Sequence, residues 1–545
     1  MAGNLLIRNA HLPLAEREET SWSILVADGR VAAVAPSGAT APSALSAPAG
    51  TRVLDAGGRS VLPAFADSHV HVPESGVELL RCDLTACESR DDVLRTVADY
   101  ARSHPDEEWI LGRGWALPHF AGRPATRQEL DDACSGRPVY LANRDGHSAW
   151  VSTAALDRVA PELLRTPPPG GRVDRDADGT PTGLLHESAM QLVSDLVPPV
   201  DADGLRRGLL EAQRRMFSYG VTSWQDAIVG PFVPTTDIYD VYRRAAADDS
   251  LRARVTGALW WPRDADEDTL GELIERRRGC VPGSRFACTA IKIMYDGVCE
   301  THTAALSRPY VGVEGAGTGL TFFDHADLAR EVPRMDAAGF DLHFHAIGDR
   351  AVTECLDLVA AAHRANGPRD RRHQLAHLQI ADDRGIARMA ALDVIANVQP
   401  YWAQADPQML DLTLPYLPGE LAGLQYRFRT LQEAGVRLAF GSDWPVSTPN
   451  PMDWIHVAVN RCHPGEPGAP LFEPEEAISL RSALRAATAG SAHALRREHE
   501  AGTLEPGSRA DIVVLDRRLD ETVLDEISRT RVDLTLVDGE PVWTR

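Results

Sequence analysis

The sequence contains almost no lysine. Lys292 is the one lysine in 545 residues, so the other 55 of the 56 basic residues are arginine. Arginine can replace lysine as a surface cation, but it cannot act as an amine nucleophile. Lys292 also lies in an apolar, strand-like run (TAIKIM, 289–294). Its retention there therefore favours a specific role for its amine.

The sequence also lacks an excess of positive charge, cysteine pairs and long apolar runs. Its formal net charge is −22, which argues against nucleic acid or an anionic membrane as a partner, because both need a basic patch. The eight cysteines include no CxxC pair, and no apolar run reaches the length of a membrane span. With no secretory leader pattern, these features predict free thiols in a cytoplasmic protein.

Both ends of the chain contain short strand-like runs and Asp-Gly turns. Asp28-Gly29 is a hairpin signal near the N-terminus, and Asp538-Gly539 is its counterpart near the C-terminus. Neither end has enough strands for a core of its own. We therefore predict one small β-sandwich built from residues 1–60 and 485–545, flanking a central domain.

The central part alternates short apolar runs with helix-like segments, which predicts a parallel α/β sheet. Eight runs are present, at 61–67, 221–226, 253–261, 289–294, 340–345, 373–378, 394–399 and 437–443. Eight strands form a closed (β/α)8 barrel, which we place at 61–484. The interval 73–218 is too long for one crossover and has strand candidates of its own. We therefore predict an inserted α+β subdomain after the first barrel strand.

Residue types that bind metals fall at the ends of these runs. In VLPAFADSHVHV (61–72), His69 and His71 are two residues apart and so project from the same strand face. Alone, either histidine could be an ordinary core residue. Other run ends carry Lys292, His345, His377 and Asp443. Because (β/α)8 enzymes place their catalytic groups at carboxyl ends of strands, this combination predicts a metal site.

The same residues resemble the amidohydrolase superfamily: HVH after strand 1, lysine on strand 4, histidine on strands 5 and 6, and aspartate on strand 8. The chain further resembles the N-substituted formamide deformylase-like (YtcJ-like, amidohydrolase 3) branch. The motifs that carry this resemblance are DGHSAWVSTAAL (145–156), GLLHESA (183–189), IKIMYDG (291–297), HFHAIGDRAV (343–352), NVQP (397–400) and GSDWPV (441–446).

The resemblance implies a binuclear metal hydrolase that cleaves the C–N amide bond of a small molecule, such as an N-substituted formamide or another N-acyl amine. Its implied cofactors are two divalent ions, with Zn2+ expected. The implied ligands are His69, His71 and Asp443 on one ion, His345 and His377 on the other, and N6-carboxylysine at Lys292 between them. A metal-bridging hydroxide would attack the substrate, with Asp443 as general base and then general acid.

Weaker candidates surround this set. We expect His343, one layer deeper than His345 on the same strand face, to have a core or supporting role. The candidate substrate contacts are His147 and Glu187 in the insertion motifs, and Asp296, Gln399 and Trp444 at or just past strand ends.

Other activities stay open on the same barrel. These are cyclic amide opening and deacylation of N-acyl amino acids, for which an arginine could hold the substrate carboxylate. Ring deamination is less favoured, because deaminases of the superfamily have glutamate where Gly348 stands. A non-catalytic regulatory relative is a remote alternative, since such proteins usually lose metal ligands. A homodimer is an open alternative for the assembly of the protein.

Overall fold

The computed structural model describes residues 3–16, 21–37, 48–120, 123–143, 148–168, 171–231, 237–466 and 468–545, without the side chains of 117, 118 and 187. Within these ranges, no helix is long and apolar enough to cross a bilayer. The chain divides into two units. The first comprises Met1–Val72, Gln213–Val233 and Asp237–Arg545, and the second comprises Pro73–Ala212 and Pro234–Thr236.

The strands are β1 (Leu5–Ala10), β2 (Trp22–Ala27), β3 (Arg30–Pro36), β4 (Arg52–Asp55), β5 (Val61–Pro63), β6 (Phe65–Val70), β7 (Cys82–Asp83), β8 (Ile110–Trp115), β9 (Val139–Asn143), β10 (Ser148–Val151), β11 (Arg172–Arg175), β12 (Pro181–His186), β13 (Val221–Val229), β14 (Arg254–Trp260), β15 (Phe286–Met294), β16 (Asp341–Ala346), β17 (Gln374–His377), β18 (Ile395–Val398), β19 (Leu438–Phe440), β20 (Ile512–Leu515), β21 (Val532–Val537) and β22 (Glu540–Thr544).

The α-helices are α1 (Val72–Leu79), α2 (Arg90–Ser103), α3 (Arg127–Cys134), α4 (Thr153–Leu156), α5 (Pro161–Arg165), α6 (Gln191–Ser194), α7 (Ala202–Ser218), α8 (Tyr239–Ala247), α9 (Thr269–Arg278), α10 (His325–Ala337), α11 (Asp349–Asn366), α12 (Asp383–Ala391), α13 (Gly419–Ala422), α14 (Phe428–Glu433), α15 (Pro451–Asn460), α16 (Leu480–Arg485) and α17 (Ser491–Ala494).

The first unit is centred on an eight-stranded parallel barrel. Its strand order is β6-β13-β14-β15-β16-β17-β18-β19. The barrel closes just beyond the ends of β6 and β19, where the Asp443 amide donates to the His69 carbonyl (2.7 Å) and the His71 amide donates to the Trp444 carbonyl (3.0 Å). The predicted (β/α)8 fold is confirmed.

The first predicted run, 61–67, is divided between two sheets. Val61–Pro63 (β5) pairs with β20 of a separate four-stranded sheet, whereas Phe65–Val70 (β6) pairs with β13 of the barrel. The backbone changes partner at one step, because the Ala64 amide donates to Asp511 and the Phe65 amide donates to Gly220. The barrel strand therefore begins at Phe65 and not at Val61.

Two four-stranded sheets are built from the two terminal parts of the chain. Their strand orders are β3-β2-β1-β4 and β22-β21-β20-β5. Their shared apolar core includes Ile7 and Ile24 from one sheet and Ile512 and Leu536 from the other. The predicted C-terminal part, from residue 485, contains α17 (Ser491–Ala494) as well as β20 to β22, and its boundary stays a prediction. Residues of α17 are helical and belong with the barrel, because the Ser491 hydroxyl donates to the Phe440 carbonyl (2.9 Å).

The second unit contains a six-stranded sheet in the order β11-β12-β10-β9-β8-β7. Strands β7, β8 and β9 are parallel, and the remaining pairs are antiparallel. Trp150 belongs to an apolar cluster with α2 and α3, and the neighbouring Ala149 and Val151 belong to a second cluster with α4. Apolar residues on alternate sides of the strand thus give the sheet a core on each face.

Candidate metal centre

Histidine rings and one carboxylate converge at the carboxyl ends of the barrel strands. Oδ1 of Asp443 lies 3.4 Å from Nε2 of His69 and 3.1 Å from Nε2 of His71. Ligand atoms of His69, His377 and Asp443 all lie within 4.8 Å of one another. The ring of His345 is centred 4.4 Å from that of His377. The structure therefore brings the five predicted histidine and aspartate ligands to one place.

The backbone around this cluster is tightly constrained. His377 and Asp443 have φ values of +73° and +55°, a region that costs a non-glycine residue about 1 kcal/mol or more. At Gly441, an added Cβ would lie 2.7 Å from the backbone nitrogen of His69. Only glycine lets the end of β19 approach β6 this closely, and this approach delivers Asp443 to the two histidines.

Lys292 lies within the barrel on β15, in register with Trp260 of β14 and His343 of β16. Its side chain is almost completely buried. Burial lowers the pKa of Lys292 to about 7, against the opposing effect of the Asp443 carboxylate. A substantial fraction of the amine is therefore uncharged near neutral pH, as carbamate formation would require.

The protonation states of the cluster suit cation binding. Burial lowers the pKa of His69 and His377 well below the ordinary value, so both rings are neutral. For Asp443, burial alone would raise the pKa, but the hydrogen bond from His71 and the nearby His377 and Lys292 outweigh it and lower the pKa. Neutral imidazoles and an ionised carboxylate are the forms that bind metals.

The residues present fit a bound divalent cation. Nδ1 of His377 is buried and has no hydrogen-bond partner among the described residues. Buried polar atoms are normally paired, so an unpaired imidazole nitrogen needs an explanation. A set of nitrogen and carboxylate donors of this kind is the one that Zn2+ prefers.

Two buried side chains hold the candidate ligand rings from behind. Nε2 of His343 lies 2.9 Å from Nδ1 of His69, which places His343 in the supporting position expected for it. Oδ1 of Asp296 lies 3.1 Å from Nδ1 of His345. Asp296 also accepts hydrogen bonds from the amides of Ala305, Ile347 and Gly348. These contacts engage both oxygens of Asp296 behind His345, and a substrate contact for Asp296 stays a prediction.

The structure gives less information on the other predicted substrate contacts. Gln399 is fully buried, and its Nε2 donates to Oδ1 of Asn397 (3.1 Å). Its Oε1 lacks a partner in the part of the chain that the structure describes. The Trp444 carbonyl accepts from the His71 amide, and a substrate contact for its ring stays a prediction. His147 and the Glu187 side chain lie outside the described residues.

Sequence reasoning missed Asp67 as a support of the site. Its carboxylate accepts from the His69 amide (3.1 Å), the Ser442 amide (3.0 Å) and the Ser442 hydroxyl (2.6 Å). These bonds hold β6 against the segment that carries Asp443. The sequence feature that could have indicated this role is the position of Asp67, two residues before His69 and on the same strand face.

Comparison with known proteins gives matches over most of the chain. A model described as "Amidohydrolase family" matches residues 52–543. Protein LONG AFTER FAR-RED 3 of Arabidopsis thaliana is 30% identical over 91% of this chain and 84% of its own length. N-substituted formamide deformylase of Arthrobacter pascens is 28% identical over 98% of this chain and 97% of its own length.

The fold has a solved counterpart. The crystal structure of an uncharacterized metal-dependent hydrolase from Pyrococcus furiosus has a TM-score of 0.73 and 25% identity, covering 94% of this chain and 99% of that chain. These matches confirm the resemblance that the motifs carried. The chain belongs to the amidohydrolase family, in the branch that contains N-substituted formamide deformylase.

Proposed function

We propose that this protein is a metal-dependent amidohydrolase that cleaves the C–N amide bond of a small molecule. The observation that carries the proposal is the convergence of His69, His71, His377 and Asp443 at one end of the barrel. An N-substituted formamide or another N-acyl amine is the proposed substrate class, and the relative named N-substituted formamide deformylase supports it. The homodimer and the cytoplasmic location stay predictions.

The proposed cofactors are two divalent ions, with zinc as the ion that these donors suit best. One ion would be held by His69, His71 and Asp443, the other by His345 and His377, and both by Lys292 in its N6-carboxylated form. Bound there, the ions would supply hydroxide at neutral pH and polarise the amide carbonyl.

Asp443 is the proposed proton carrier. Its carboxylate is ionised and is held by His71 through a 3.1 Å contact. It accepts the proton that the attacking water loses, and it returns that proton to the amine nitrogen as the C–N bond breaks. This proton is needed because it allows the nitrogen to leave as a neutral amine, whereas an unprotonated nitrogen would have to leave as an amide anion.

Lys292 is the proposed bridging ligand after carboxylation. Its uncharged amine attacks CO2, the new N–C bond forms, and one proton is lost to solvent, which leaves an anionic carbamate with two ligand oxygens. Burial supports this reaction, because it lowers the pKa of Lys292 to about 7 and keeps the amine available.

The test is a substrate panel assayed on purified protein whose metal content has been measured. The panel contains N-substituted formamides, longer acyl amides, cyclic amides and N-acyl amino acids, each with Zn2+, Mn2+ or Co2+ and with bicarbonate. We expect two bound ions per chain and amine release from formamides or simple acyl amides. Preferential cleavage of cyclic amides or N-acyl amino acids would move the activity to those classes. A protein that binds no divalent ion and cleaves none of the panel contradicts the proposal.

A further inference from the structure

Two histidine rings face each other inside the barrel through one nitrogen each. Nδ1 of His69 lies 2.9 Å from Nε2 of His343, and both side chains are almost completely buried. Two ring nitrogens at this distance form a hydrogen bond that contains a single proton. A neutral imidazole has one N–H and one acceptor nitrogen, so one of the two rings donates this hydrogen bond and the other accepts it.

The direction of this bond decides whether His69 can bind a metal. Nε2 of His69 faces Asp443, at 3.4 Å from Oδ1. If His69 donates from Nδ1, its Nε2 presents a lone pair at the centre. If His343 donates instead, the proton of His69 is on Nε2, and that ring offers the centre an N–H and no lone pair. Only the first arrangement allows His69 to act as a ligand.

We infer that His343 is a positioning residue that accepts the Nδ1 proton of His69 and so fixes the tautomer and ring orientation in which His69 binds a metal ion. This inference rests on the proposed function. In this arrangement the proton of the His343 ring is on Nδ1. That atom is buried and has no hydrogen-bond partner among the described residues.

The ring of His345, a candidate ligand of the other ion, is held by a different residue. His345 donates from Nδ1 to Asp296, and Asp296 also accepts hydrogen bonds from three backbone amides. The two ligand rings are thus held by different partners, His69 by His343 on β16 and His345 by Asp296, which follows the end of β15. Loss of the acceptor at His343 should weaken the ion held by His69, His71 and Asp443 and leave the ion at His345 and His377 in place.

The experiment compares His343→Gln with His343→Met. Glutamine can place an acceptor oxygen where Nε2 was, whereas methionine has similar length and no comparable acceptor. Zn2+ affinity of the two sites is measured by competition with a chelator, and bound zinc is counted by elemental analysis. For His343→Met we expect one site to weaken about 10- to 100-fold and stoichiometry to fall from two ions towards one. His343→Gln should stay near the wild type.

A matched control separates positioning from packing. His373 is also a buried histidine, and its Nδ1 accepts from the Leu342 amide (3.0 Å) at the opposite end of the strands. His373→Met should lower the melting temperature without changing either zinc affinity. If His343→Met does not fold, ring 15N shifts of the zinc-loaded wild type decide the question, with Nδ1–H expected on both His69 and His343.

The outcomes distinguish the two proposals. Wild-type protein without bound zinc removes the proposed function. Two zinc ions in wild type with unchanged affinity in folded His343→Met overturn the inference alone. Equal weakening in His343→Gln and His343→Met also overturns it, because the restored acceptor would then have no effect. Selective loss of one ion in His343→Met, with rescue by glutamine, supports it.

Discussion

Oδ1 of Asp296 lies 3.1 Å from Nδ1 of His345, at the point where β15 and β16 both end. The carboxylate is fully buried, and four N–H groups surround it. A carboxylate that accepts from an imidazole fixes the tautomer of that ring and turns its other nitrogen towards the site. Asp296 therefore connects the geometry of the barrel mouth with the orientation of a candidate metal ligand.

Replacement of Asp296 by asparagine should destabilise the protein and impair one metal site. The new NH2 group would face N–H groups that lose their acceptor, at a cost of about 1–3 kcal/mol. We expect a lower melting temperature and selective loss of the ion at His345, measured by calorimetry and zinc counting. Asp453→Asn, in the partly buried first turn of α15, is the matched control. Normal stability and two tightly bound ions in Asp296→Asn would show that the carboxylate has no such role.

The sequence predicted the barrel and the positions of its ligands because both depend on local patterns. Apolar runs of strand length marked β13 to β19, and the carboxyl ends of those runs located His345 and Asp443. The role of Asp296 could not be predicted in the same way, because its partners lie on another strand and in two loops. The division of 61–67 between two sheets was also hidden, since Val61 and Phe65 are equally apolar and their partners are hundreds of residues apart.

Asp443→Asn should separate metal binding from turnover. Asparagine keeps an oxygen beside His71 but cannot accept and return a proton, so we expect retained zinc and a kcat lower by about 10²- to 10⁴-fold. The measurement is steady-state amine release, with bound zinc determined on the same sample. Turnover close to wild type, with both ions bound, would remove Asp443 as the proton carrier.

Lys292→Ala should lose activity that small carboxylic acids restore in part. The cavity left by the side chain can admit acetate or propionate, whose two oxygens replace those of the carbamate. Lys292→Arg should not be rescued, because a guanidinium neither forms a carbamate nor leaves room for the acid. Activity with and without added acid, and the intact mass of wild type in bicarbonate, provide the readouts. Full activity of Lys292→Ala without any acid would exclude a bridging carbamate.

Metal-free protein kept without CO2 should show a pH-dependent stability difference between wild type and Lys292→Met. The pKa of Lys292 is lowered from 10.5 to about 7 in the folded chain. Between these values the unfolded chain holds a proton that the folded chain has lost, so raising the pH favours the folded state. Below about pH 7 both states are protonated and the penalty for the buried amine is complete.

The variant has no amine, so its stability lacks this penalty at every pH. Wild type should therefore be less stable than Lys292→Met by a few kcal/mol near pH 7, at about 1.4 kcal/mol per pKa unit. The gap should shrink by about 1.4 kcal/mol per pH unit towards pH 10, because removing the proton that the unfolded chain still holds costs less free energy as the pH rises. Urea unfolding of both proteins across this range measures the gap directly. A gap that is constant with pH would mean that the amine of Lys292 titrates normally in the folded barrel, and a neutral amine for carboxylation would then be scarce at physiological pH.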